Sequence, residues 1–290
     1  MSLCEVGPRD GLQNEKQILE PSVRAELVHR LVASGLRRIE TTSFVSPERV
    51  PAMAGAEDVV RLIDRVPGVV YAGLVLNARG YERLRTTGLD EARLAIACTE
   101  SFSRRNSNVS REDAFTGLAP IVADARADGL RVSITLMVAF GCPFEGRVSE
   151  DDVLTLAERA HGLTPDELVL ADTIGVAAPR EVRRIVAAVA ELGTPVGAHL
   201  HDTRSTGVAN CYAALEGGAV GLDTSVGGIG GCPFAPGATG NVATEDVAYA
   251  LQRDGVDLGI DLERVIDTAA WLEGLLGHRL AGHVYRAGIS

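Results

Sequence analysis

Two histidines separated by one residue, His199 and His201, follow an apolar run over 195–198 with the composition of a buried strand. Successive side chains of a strand point to opposite faces, so side chains two residues apart share a face. Two imidazoles on one face at the end of a strand are typical of a divalent-metal site, because burying both without a ligand is unfavourable. The alternative is a histidine pair that only forms hydrogen bonds, and the motif alone does not decide between the two.

Other polar side chains that could work with these histidines stand at the ends of further apolar runs. Cys232 adds a thiol in a loop with four glycines in the five residues before it. A loop of this composition can approach a ligand closely. The other candidates are Arg9, Asp10, Glu40, Asp172 and Asn241.

Eight short apolar runs alternate with helical patterns, and these elements must bring the polar side chains together. The predicted strands cover 3–6, 38–42, 69–76, 92–97, 132–138, 167–171, 195–201 and 220–226. They show little alternation, as expected when both faces are covered. We predict an α/β fold, a (β/α)8 TIM barrel with extra C-terminal helices, in which the carboxyl ends of the strands carry the chemistry. Residues 1–290 would form one catalytic domain with a helical extension over about 244–290, including helices near 244–253 and 261–277.

Several helix starts carry local signals. Ser22 is predicted to cap the first long helix. Ser110 with Asp113, and Ser149 with Asp152, have the spacing of capping boxes.

Composition restricts the classes of partner. The chain has 28 Lys and Arg against 39 Asp and Glu, a net charge of −11, which argues against binding to nucleic acid or to an anionic membrane surface. No segment approaches the roughly 18 unbroken apolar residues of a membrane span. Five scattered cysteines and no signal or transit segment before the first strand predict a cytoplasmic protein with reduced thiols.

The single lysine, Lys16, lies in a polar loop. Aldolases that work through a Schiff base, and pyridoxal phosphate enzymes, need a lysine inside the barrel. Carbon–carbon chemistry here must therefore be metal-assisted, and neither pyridoxal phosphate nor NAD is expected.

Six stretches resemble, in order and over nearly the whole chain, the hydroxymethylglutaryl-CoA lyase family. They are 5–15, 39–47, 141–146, 172–175, 199–203 and 230–241. Wider relatives are the metal-dependent synthases that make isopropylmalate and homocitrate. The resemblance implies a TIM-barrel carbon–carbon lyase that cleaves 3-hydroxy-3-methylglutaryl-CoA to acetyl-CoA and acetoacetate, a step of leucine degradation and ketone-body formation. It also implies an acyl-CoA as the partner and a homo-oligomer, a dimer or a tetramer.

The resemblance assigns the metal ligands as Asp10, His199, His201 and Asn241. Imidazole, carboxylate and amide ligands with room for two substrate oxygens suit octahedral Mg²⁺ or Mn²⁺. Zn²⁺, or Fe²⁺ on two histidines and a carboxylate, is the competing assignment.

Four residues are expected to act on the substrate or beside it. Arg9 would stabilise the developing enolate oxygen, the alternative being a structural pair with Glu40. Glu40 would orient Arg9 or a water on the metal. By resemblance, Cys232 would transfer the proton to the carbanion, the alternative being a small buried thiol. Asp172 would be a nearby acid or a lining residue.

Two departures from the family concern the acyl pocket. Thr135 stands in a more apolar run where the family has a tyrosine, and Arg204 follows the histidine motif where Tyr-Gly is expected. Together with Arg9 and Gln13, these two residues are the predicted substrate contacts. The alternatives are the same cleavage of another branched 3-hydroxyacyl-CoA, a condensing acyl-CoA synthase, or an inactive binding protein.

Overall fold

Eight parallel strands close into a barrel in chain order, with β1 paired to β8. The structure is a computed structural model that describes residues 1–231 and 240–289. The strands are β1 Ser2–Glu5, β2 Arg38–Ser43, β3 Val70–Val75, β4 Glu91–Ala97, β5 Arg131–Met137, β6 Glu167–Ala171, β7 Val196–His199 and β8 Gly221–Thr224. Each coincides with a predicted apolar run, and the (β/α)8 prediction is confirmed.

Helices surround the barrel, and their apolar faces pack on the outside of the strands. They are α1 Pro21–Ala33, α2 Ala56–Leu62, α3 Ala78–Leu84, α4 Glu100–Ser107, α5 Arg111–Ala127, α6 Glu150–His161, α7 Pro179–Ala190, α8 Gly207–Glu216, α9 Thr244–Arg253, α10 Leu262–Leu276 and α11 Val284–Ala287. The last three follow β8, and α9 and α10 match the two predicted C-terminal helices. Within the described ranges, no helix is both long and apolar enough to cross a membrane.

The predicted capping signals were right in two cases and wrong in one. The Ser110 and Ser149 hydroxyls accept the Asp113 and Asp152 backbone N–H groups, at 3.0 and 3.1 Å. Ser22, by contrast, lies inside α1, which begins at Pro21. Proline fits the first position of a helix because its fixed φ is helical and no N–H is needed there.

The hydrophobic core lies largely between the strands and the surrounding helices. Ile39, Leu94 and Ile134 on the strands, and Leu27 and Leu31 on α1, are completely or almost completely buried. Fully burying a side chain of this size contributes about 1.5–3 kcal/mol.

Charged groups are also buried, at the amino ends of β2, β4 and β6. The Arg38 Nε donates to Glu91 at 2.8 Å, and the Arg38 guanidinium pairs with Glu167 as well. The Ser133 hydroxyl gives Glu91 a further hydrogen bond. This cluster closes the barrel at the end opposite the polar residues singled out above.

Candidate active site

The two histidines meet, although the strand ends earlier than predicted. β7 ends at His199, and His201 lies beyond it in an isolated bridge with Asn241. Beyond the end of β7 the chain pairs with the segment around Val242, whose N–H donates to the Leu200 carbonyl at 3.0 Å. The chain therefore stays extended, and the Nε2 atoms of the two rings lie 3.2 Å apart.

Asp10 reaches the histidines from a π-helical turn, Gly7–Gly11, that follows β1. Its Oδ2 lies 3.9 Å from Nε2 of His199. One possible ligand atom from each of Asp10, His199 and His201 falls within 4.8 Å of the others. The Asn241 Nδ2 donates to Asp10 at 2.9 Å, while its Oδ1 is buried and has no hydrogen-bond partner among the described residues. The four predicted ligands are thus gathered, and their donor set fits a divalent cation: a carboxylate, two imidazoles and an unused amide oxygen.

Asp223 on β8 fixes the first histidine. Its Oδ2 lies 3.1 Å from Nδ1 of His199, so that Nε2 faces Asp10 and His201. Burial lowers the pKa of His199, but the hydrogen bond to Asp223 and the nearby Asp10 outweigh burial and leave the pKa raised. For His201, burial and the neighbouring His199 lower the pKa to about 3. His201 is therefore neutral at ordinary pH, as a metal ligand must be.

Arg9 connects this cluster to β2. Its Nε donates to Glu40 at 2.8 Å and its Nη1 to Asp10 at 2.7 Å. Burial lowers the pKa of Arg9, but the two carboxylates more than offset burial and raise it. The predicted pair with Glu40 is present, and Arg9 also lines the cavity above the barrel. The two alternatives for Arg9 are thus compatible.

Sequence reasoning missed Arg93, on β4, and its ion pair with Asp223. The Arg93 Nη2 donates to Asp223 at 2.7 Å, and Nη1 donates to the Cys4 sulfur at 3.2 Å. The partners are 130 residues apart, so no local motif joins them. The available signal was a charge inside each of two apolar strands, because a charge buried in a barrel needs a partner.

A cavity of about 200 Å³ opens at the carboxyl ends of the strands. Arg9, Asp10, both histidines and Gln13 line one side. The opposite side of the cavity is mainly apolar. Its lining includes Val45, Val50, Leu74, Leu76, Ala95, Phe102, Thr135, Met137 and Ala171. Of the two faces that β5 could present, the one with Thr135 and Met137 is the one exposed to the cavity.

Arg204 and Asp172 lie outside this cavity wall, and both bind the loop after β6. The Arg204 Nη1 donates to the carbonyls of Ile174 and Gly175, at 3.0 and 2.8 Å. The Asp172 carboxylate accepts two backbone N–H groups of the same loop, at 2.9 and 3.0 Å. Burial raises the pKa of Asp172 more than these bonds lower it. The geometry indicates that both residues hold the loop, and their roles toward substrate stay predictions.

Cys232 lies outside the described residues, so its predicted role has no structural counterpart here. The glycines just before it, Gly230 and Gly231, line the cavity. Gly230 has φ +109°, and a Cβ there would lie 2.4 Å from Nδ2 of Asn241. Only glycine permits this close approach.

A family model described as HMGL-like matches residues 1–272. The chain belongs to the HMGL-like family. The predicted resemblance is confirmed, and with it the enzyme class, a carbon–carbon lyase.

Individual relatives match over nearly their full length. The (R)-citramalyl-CoA lyase of Chloroflexus aurantiacus is 40% identical, over 99% of this chain and 95% of the relative. The 3-hydroxy-3-isohexenylglutaryl-CoA/hydroxymethylglutaryl-CoA lyase of Pseudomonas aeruginosa is 42% identical, over 95% and 92%. A solved HMG-CoA lyase from Acinetobacter baumannii, in complex with coenzyme A and 3-methylmalate, superposes with a TM-score of 0.95 at 36% identity, over 99% of this chain and 95% of that one.

Proposed function

We propose that this protein is a divalent-metal-dependent lyase that cleaves 3-hydroxy-3-methylglutaryl-CoA to acetoacetate and acetyl-CoA. The observation that carries the proposal is the cluster of Asp10, His199 and His201, with ligand atoms within 4.8 Å of one another and Asn241 beside them. A divalent cation held there would act as a Lewis acid toward the hydroxyl and carboxylate oxygens of the substrate. Mg²⁺ or Mn²⁺ suits this donor set.

The reaction needs one proton to leave and one to return. The 3-hydroxyl loses its proton, its oxygen forms the ketone, the C2–C3 bond breaks, and C2 with its thioester becomes the enolate of acetyl-CoA. Arg9 stabilises the negative charge on the thioester oxygen, held in place by Glu40 at 2.8 Å. A proton then adds to C2, and Cys232 is the proposed donor.

The second candidate is the same cleavage of a substrate with another C3 substituent. The apolar side of the cavity, from Leu74 to Met137, favours it, because this side can accommodate more than a methyl group. The relatives that are named for citramalyl-CoA and isohexenylglutaryl-CoA also support a variable substituent.

The test is turnover of a small panel of acyl-CoA esters by purified protein, with and without a chelator. We expect acetyl-CoA and the matching keto acid to appear, the activity to vanish with chelator, and Mg²⁺ or Mn²⁺ to restore it. The His201→Ala variant should lose metal affinity and turnover together. Full activity in excess chelator would contradict the proposal, and net condensation from acetyl-CoA would favour a synthase.

A further inference from the structure

Arg93 occupies an unusual position, inside the barrel and among the residues that line the cavity. It is 2% exposed. The guanidinium spans the space between Asp223 on β8 and Glu40 on β2, with Nη2 2.7 Å from Asp223 and Nε 4.0 Å from Glu40. Each of these carboxylates in turn holds a residue of the site.

On one side, Asp223 Oδ2 accepts from Arg93 and also lies 3.1 Å from Nδ1 of His199. On the other side, Glu40 uses Oε2 for Arg9, at 2.8 Å. Its Oε1, the oxygen on the Arg93 side, is buried and accepts no hydrogen bond from the residues that the structure describes. Carboxylates this deeply buried need a compensating charge. Arg93 provides one for Asp223 directly and, together with Arg9, one for Glu40.

We propose that Arg93 is a positioning residue, which holds Asp223 and Glu40 and through them fixes His199 in the metal site and Arg9 beside the substrate. The inference rests on the proposed metal-dependent lyase function. Residues behind a metal ligand orient it and tune its basicity. An arginine suits the task because its planar fork can engage two carboxylates, whereas a lysine offers one compact charge.

The competing explanation is that Arg93 only stabilises the barrel. Arg38 provides the matched control, since it is also buried and also bridges two carboxylates, Glu91 and Glu167. Those carboxylates stand at the opposite end of the barrel and hold no residue of the site. A purely structural arginine should behave as Arg38 does.

The experiment compares Arg93→Lys with Arg38→Lys, each of which keeps a positive charge in its cluster. Mn²⁺ affinity is measured by calorimetry on the purified, metal-stripped protein, together with Tm and steady-state kinetics. We expect both variants to lower Tm. Only Arg93→Lys should weaken Mn²⁺ binding, by roughly 10–100-fold, and lower kcat more than it raises KM.

A double-mutant cycle that combines Arg93→Lys with Asp223→Asn tests whether Arg93 acts on metal binding through Asp223. Because Arg93 acts through Asp223, the losses in Mn²⁺ affinity should be less than additive. If Arg93→Lys does not fold, the Asp223→Asn variant should still weaken Mn²⁺ binding and Glu40→Gln should still lower kcat. Wild-type Mn²⁺ affinity in Arg93→Lys, or in Asp223→Asn, would overturn the inference while leaving the lyase function intact. A wild-type protein that binds neither Mn²⁺ nor Mg²⁺ would overturn both.

Discussion

At the scale of single residues, the two histidines of one motif have different surroundings. His199 is held at Nδ1 by Asp223, whereas Nδ1 of His201 is buried without a hydrogen-bond partner in the described part of the chain. Orientation by a carboxylate strengthens a histidine ligand. His199 is therefore the better fixed of the two, and His201 depends on Asn241 and its backbone bridge.

Arg9 should matter for the rate more than for substrate affinity. Its Nε and Nη1 are held by Glu40 and Asp10, which aims a preorganised guanidinium at charge that develops only during the reaction. We expect Arg9→Lys to lower kcat by roughly 10²–10³-fold, because one ammonium cannot replace both contacts. Steady-state kinetics at saturating metal measures this effect. A large rise in KM with kcat intact would instead indicate a role in binding alone.

Cys232 is predicted to act through its proton. We expect Cys232→Ala to lower kcat by roughly 10²–10⁴-fold with little change in KM. Alkylation should inactivate the wild-type enzyme, and substrate should protect it. Cys142, which is buried, provides the control, since Cys142→Ala should keep its activity. A normal kcat in the Cys232→Ala enzyme would show that the thiol has no role in catalysis.

At the scale of elements, the turn that follows β8 rests on two buried carboxyl groups. Glu5 accepts the Val226 N–H at 2.9 Å, and Glu245, on α9, accepts the Gly227 N–H at 3.0 Å. This turn leads directly to the glycines that line the cavity. The first strand and the ninth helix therefore set the start of the loop that carries Cys232.

Glu245 should make stability depend on pH. Burial, with contributions from Asp246 and Glu5, raises its pKa from 4.5 to about 8. Between these values the folded chain holds a proton that the unfolded chain has released, so the free energy of unfolding falls as pH rises, by about 1.4 kcal/mol per pH unit from this group. We expect Glu245→Gln to gain stability relative to wild type across that window, with no further gain above pH 8. Urea denaturation of both proteins measures the difference, and parallel pH profiles would contradict it.

Elements were predictable from the sequence to different degrees. The apolar runs located all eight strands, because a strand covered on both faces has a simple pattern. The π-helical turn at Gly7–Gly11 leaves no such pattern, and the end of β7 at His199 depends on the returning segment around Val242. Likewise the histidine pair could be predicted from its motif, and the set of proposed metal ligands from the family resemblance. The pair of Arg93 and Asp223 could not be predicted, since tertiary structure alone brings β4 and β8 together.

At the scale of the whole molecule, the barrel mouth divides into two parts. The strands β1, β2, β7 and β8, with the segments that follow them, supply charged groups and the proposed metal ligands, while β3 to β6 supply most of the apolar wall. Arg93 is the exception, a charged residue on β4. The acyl substituent at C3 should therefore face the apolar part of the mouth, the one lined by β3 to β6.

Thr135, on that wall, should set the tolerance for longer C3 substituents. We expect the wild type to accept C3-methyl, ethyl and longer homologues, and Thr135→Tyr to shift preference toward methyl. The shift should be tens-fold, because a methylene in an apolar pocket is worth only about 1–3 kcal/mol. The measurement is kcat/KM for the series in both proteins. Thr135→Ser is the control, because serine keeps the side chain at this position small. Sharp selection for methyl by the wild type, unaltered in Thr135→Tyr, would refute the assignment.

The division of the mouth also bears on how such enzymes diverge. A substitution on β3 or β5 alters the wall without touching the proposed metal ligands, so a lineage can change the acyl group it prefers while keeping its reaction. Selection then acts on the two halves separately, and duplicated copies need few changes to specialise. The relatives at about 40% identity are named for different acyl-CoA esters, and all of them are named as lyases.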